Sequence, residues 1–310
     1  MRTDWLWFGQ VAMAALVNVS FAFAVGATLF SAWLGAPAQS PVSPARVAWL
    51  RAQRSQRAAA FVLVLSLLVW LLYESAAMSG KRLPQAFAVV PTVLAQTHVG
   101  TAWSVAFGGA LVLFVSAFVN GGVVREGVVW LAIVVAAAGR AALGHAADAG
   151  FLSAALGLHT LHVLSASVWS GVVMAGGLAV LPALGTSTAR GILIRTGAQM
   201  SSLALFAVGA VLVTGGYDGL RGSGGSLAAL LHTTWGHVLS LKLLLIVFAL
   251  GLGALNRFSA LPRLKRTAST ADARDFANVL YLEGLVMIGV LVAAAALAQS
   301  VPGYAALMQH

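Results

Sequence analysis

The chain contains no cysteine, so disulfides and thiolate metal sites are excluded. It is also short of charge. Only 8% of its 310 residues are Asp, Glu, Lys or Arg, against 60% hydrophobic, where a soluble domain carries about a quarter charged residues. No ten-residue alternating strands are visible, so a closed barrel is disfavoured. There is no nucleophile elbow, phosphate loop or His-Glu-x-x-His motif, and nothing argues for hydrolytic catalysis or any other enzyme activity. Mean hydropathy is +0.92, more apolar surface than a water-soluble protein of this size can hide. Net charge is +10, but the charges sit in short loops between apolar runs, which points to membrane topology rather than nucleic acid.

What is present is a series of long apolar segments. Eight read as transmembrane helices, over 5–34, 58–78, 97–119, 127–144, 152–181, 198–217, 236–255 and 279–299. Each approaches the ~20 residues that cross the hydrocarbon core. Helix follows because a peptide group left unpaired in lipid is costly. The expected fold is all-α, a polytopic membrane helical bundle of about eight spans and a single transmembrane domain over 1–310, without an internal sequence repeat. The stretch Met1-Arg2-Thr3-Asp4-Trp5 and the long run after it read as a retained first span. Pro37, Pro41 and Pro44 end that span, Pro84 and Pro91 mark the loop after the second, and Gly215-Gly216 marks the loop after the sixth.

Basic residues set the expected orientation. Arg46, Arg51, Arg54 and Arg57, then Arg125, then Arg190 and Arg195, then Arg257, Arg263, Lys265, Arg266 and Arg274 fall on one side. Arg2, Lys81, Arg82, Arg140 and Arg221 fall on the other, and Lys242 lies within a span. Lys and Arg stay cytoplasmic in short loops, so both termini are expected outside.

The seven histidines then acquire depth, and all fall on the extracytoplasmic side. His98 begins span three, His145 caps span four, His159 and His162 lie in the outer half of span five, and His237 begins span seven. His232 and His310 are peripheral. His159 and His162, three residues apart, share a helix face, and the stripe continues to Trp169. A single intramembrane histidine serves as readily as an interhelical hydrogen-bond donor; the set from several spans argues for ligation. Imidazole suits Zn, Cu, Fe and Ni. Met13, Met78, Met174, Met200, Met287 and Met308 form no Met-x-x-Met cluster, so copper is allowed but not singled out by the chemistry. Glu74, Arg140, Lys242 and Glu283 are ionisable groups within spans, where charge is expensive. Glu74 is placed to pair with Arg140 or Lys242, or to orient an imidazole. Arg140 and Lys242 could equally snorkel. Glu283, near the inner end of span eight, and Asn18, in the middle of span one, are pathway candidates.

The stretches Gly144-His145-Ala146-Ala147 and Leu161-His162-Val163-Leu164-Ser165-Ala166-Ser167-Val168-Trp169-Ser170-Gly171 resemble the core of the CopD/PcoD copper-resistance integral membrane family. So do Gln96-Thr97-His98-Val99-Gly100, Thr234-Trp235-Gly236-His237 leading through Lys242 to Asn256-Arg257, and Leu282-Glu283 in the last span. The resemblance implies an eight-span bacterial inner-membrane protein that takes copper from the periplasmic side, supplied by a periplasmic copper-carrier protein, for import or transfer. It implies His145 and His162 as ligands, followed by His98. His237 departs from the pattern, standing where many relatives carry arginine. Two other functions fit the histidines: a bis-histidine haem electron carrier, and a factor that passes copper on without transporting it.

Overall fold

The computed structural model describes residues 2–119, 122–144, 150 and 153–308, with the backbone alone for 2–4 and 36. Eight long helices dominate it: α1 (Arg2–Leu34), α2 (Arg46–Ser79), α3 (His98–Ser116), α4 (Val123–Ala142), α5 (Ala154–Ala175), α6 (Arg190–Ser223), α7 (Thr234–Leu255) and α8 (Thr270–Ala298). They correspond one to one with the eight expected spans. Seven are long and apolar enough to cross a membrane. The exception is α4, which carries Arg125, Glu126 and Arg140 within its 20 residues. No strand forms among the described residues, and the chain is a polytopic helical membrane bundle.

Several helices run further than their apolar cores. Arg46, Arg51, Arg54 and Arg57, expected in a loop, instead form the first turns of α2. The helix α6 passes straight through Gly215-Gly216 and ends only at Ser223. Glycine breaks helices in water, but in lipid an unpaired backbone is costlier than a glycine.

Neighbouring spans run antiparallel. Trp7 Nε1 of α1 donates to Gln299 O just past α8 (3.1 Å), so both chain ends lie at one end of the bundle, called upper below. Arg57 Nε at the lower end of α2 donates to Ala117 O after α3 (3.0 Å). The centre is the parallel pair α1 and α5, crossing at Gly26 and Gly171, where a methyl group on either glycine would overlap the backbone of the other helix. Small residues permit this close approach.

The architecture repeats, although the sequence does not show it. The helices α2 and α6 are each 34 residues long and end on left-handed glycines, Gly80 (φ 65°) and Gly224 (φ 61°). A short helix follows each (Val90–Gln96; Leu227–His232). Then Thr97 and Thr233 cap α3 and α7, each Oγ1 accepting from the glycine three residues on, Gly100 N and Gly236 N (3.0 Å both). The same hydroxyls donate back to Val93 O and Ala229 O. The chain is thus two four-helix units in tandem. The repeat is carried by helix lengths and caps, not by side-chain identity, so it leaves no internal sequence repeat.

Candidate metal site at the upper end of the bundle

The upper turns of α5 and α6 bring two histidines to two oxygen partners. Ser153 starts α5, its Oγ accepting from Leu156 N (3.2 Å), which sets His159 and His162 on the face toward α6. His159 Nδ1 lies 2.7 Å from Asp218 Oδ2, with both side chains partly buried (29% and 24% exposed). His162 Nδ1 lies 2.9 Å from Thr214 Oγ1. The two rings are nearly parallel, at 16°, with centroids 6.0 Å apart. Gly215 lies close beside them: a Cβ there would stand 3.0 Å from His162 Cε1.

Hydrogen-bond directions follow from this geometry. Thr214, 2% exposed, donates its single hydroxyl proton to Ala210 O (2.6 Å). Its oxygen therefore accepts from His162 Nδ1–H. The Asp218 carboxylate likewise accepts from His159 Nδ1–H. With Nδ1 donating in each ring, Nε2 is the nitrogen left to offer a lone pair to a metal. A carboxylate on the far nitrogen fixes the ring and raises its basicity, as in many metal sites. Lys242 of α7 acts electrostatically on both Asp218 and His162 without closing an ion pair among the described residues.

Asp218 and Thr214 were absent from the sequence-based candidates, because Gly215-Gly216 was read as the end of the span. The available signal was the i, i+4 spacing of Thr214 and Asp218, which puts them on one helix face.

The remaining candidates are distributed as follows. His98 is the exposed first residue of α3. His237, exposed, donates from Nε2 to Leu231 O (3.1 Å). His232 ends a short helix and is exposed. His145 and His310 lie outside the described residues. Among the described residues no three His, Asp or Glu side chains converge as a metal-holding group.

Glu74 pairs with neither Arg140 nor Lys242; it accepts from Gln10 Nε2 (2.8 Å). Arg140 does not snorkel. It turns inward, donating to Asn18 Oδ1 and lying 4.7 Å over the Phe21 ring, because an interhelical amide offers it a partner inside the bundle. Asn18 in turn donates to Leu291 O (3.1 Å), so it ties α1, α4 and α8 together. Trp169 is buried, and Glu283 is 4% exposed; α8 extends below the expected span, within which Glu283 stays near the lower end.

Glu74 and Asp218 each stand six residues before the glycine that ends their helix. The pairs Gln10–Glu74 and His159–Asp218 are counterparts in the two units, and only the second pair contains an imidazole.

No curated protein matches the chain, and no solved structure does. The family model for the copper resistance protein D-like N-terminal domain matches residues 2–154, and that for copper resistance protein D matches residues 194–297. With both halves matched, the chain belongs to the copper resistance protein D family.

Proposed function

We propose that this chain binds copper at the upper end of the bundle through Nε2 of His159 and His162 and carries or passes it across the membrane. The observation behind this reading is the pair of directed Nδ1–H hydrogen bonds, to Asp218 and to Thr214, which leave both Nε2 atoms to a metal. His145, in the segment joining α4 to α5, is the candidate third ligand, with His98 and His237 at the starts of α3 and α7. Copper is the substrate here, and the donor set of imidazoles with a carboxylate behind one of them suits it. The basic lower end faces the cytoplasm of a bacterial inner membrane. The upper end then faces the periplasm, where a periplasmic copper carrier delivers the ion.

Elemental analysis of protein purified from copper-fed cells tests this. Wild type should retain copper, and His159→Ala with His162→Ala should lose the copper held at this end. Undiminished binding in that double variant would overturn the assignment. A Soret band in place of bound metal would reassign the imidazoles to haem. Copper uptake into proteoliposomes is expected; binding without uptake would make the chain an acceptor that passes copper to a partner on the same face.

A further inference from the structure

Trp169 follows His162 by seven residues on α5. It therefore lies on nearly the same face, about 10 Å further down at 1.5 Å per residue. With Met200, Ser201, Asn256, Arg257 and Glu283 it lines a cavity of about 200 Å³. The cavity exists because α6 and α7 hardly touch. In the first unit the matching helices are closed by Trp103, whose Nε1 donates to Leu67 O (2.9 Å). Six residues past the capping threonine, where α3 has Trp103, α7 has Leu239, which has no such donor.

Two polar side chains in this cavity have little but each other. Asn256 is 5% exposed, and its amide has no well-formed hydrogen bond beyond its contact with Glu283. It opens the π-helical turn Asn256–Ala260 that continues α7, a distortion often found at functional sites. Glu283 faces it and forms no ion pair among the described residues. Arg257 is committed elsewhere, donating from Nη1 to Ser201 O and Oγ (2.9 Å each). A Cβ on Gly253 would stand 3.1 Å from Glu283 Oε1, so glycine leaves this carboxylate its room. A carboxylate whose partner is a neutral amide and not a counter-ion is costly inside a membrane bundle. A bound cation removes that cost.

We propose that Glu283, Asn256 and Met200 form a second copper site, reached from the histidine pair along the Trp169 face of α5. Carboxylate and carboxamide oxygens hold the charge, and the Met200 thioether supplies the soft donor that favours Cu(I). This inference rests on the copper reading above and extends it toward the lower end of the bundle.

The test is copper stoichiometry of the full chain in lipid nanodiscs, loaded with Cu(I) under ascorbate, with X-ray absorption on the bound metal. Glu283→Gln is isosteric and should lose one ion relative to wild type while keeping the imidazole signature. His159→Ala with His162→Ala should keep the inner ion, now without imidazole scattering. Asn256→Asp, which adds a second carboxylate, should retain that ion and serves as the folding control together with size-exclusion profiles. Full stoichiometry in Glu283→Gln overturns the inner site whatever the histidine variants do. So does an empty histidine double variant, or displacement of the inner ion by sodium. Undiminished binding in the histidine double variant sinks the outer site instead, so the two failures are distinguishable.

Discussion

A hydroxyl has one proton, and Thr214 gives its own to Ala210 O, so the tautomer of His162 is decided four residues along a different helix. Asp218 plays the stronger part for His159, because a carboxylate both orients the ring and polarises it. Asp218→Asn keeps the shape and removes the charge. It should weaken copper binding by about 10–100-fold, the usual cost of losing such a partner, with the fold intact. Competition titration against a copper chelator measures this. Full affinity in Asp218→Asn would mean that His159 is not a ligand. None of this was legible from the histidines alone. Their depth and their shared face were, since Lys and Arg placement and helical periodicity supply both. The partners were hidden because two glycines look like a loop in a one-dimensional reading, whereas in lipid the helix carries on through them.

At the scale of elements, hydropathy shows where helices lie but not how far they extend. The spans come from apolar cores, while the added turns of α2, α6 and α8 are polar; those of α8 are capped by Ser269, whose Oγ accepts from Asp272 N (3.1 Å). Packing is legible only in part. The small residues of α5 mark it as a close-packed helix, but its partner, α1, cannot be inferred from spacing. That contact makes a direct prediction. Gly171→Val forces side-chain atoms into the Ala22 carbonyl and should cost roughly 1–3 kcal/mol or more. Gly108→Val, on α3 with open space around it, should leave stability nearly unchanged. Thermal unfolding in detergent compares the two. Equal melting temperatures would show that α1 and α5 do not cross at Gly26 and Gly171.

For the whole molecule, the two units are alike in plan and unlike in chemistry. Both place a hydrogen-bonded polar pair at the upper end, but Gln10–Glu74 has no imidazole where His159–Asp218 has two nearby. Both have a second helix facing a third, and α6 and α7 leave a cavity between them. An even number of long helices returns both chain ends to the upper end, so the direction of the proposed copper movement depends on which side that end faces. Because the chain contains no cysteine, single introduced thiols report orientation without background. Lys81→Cys and Ser226→Cys lie between helices at the upper end, and Thr188→Cys lies at the lower end. A membrane-impermeant maleimide added to spheroplasts should label the first two and reach the third only after permeabilisation. The reverse pattern would turn the histidines toward the cytoplasm. The same ligands would then load copper from inside, and the path through Trp169 to Glu283 would run outward.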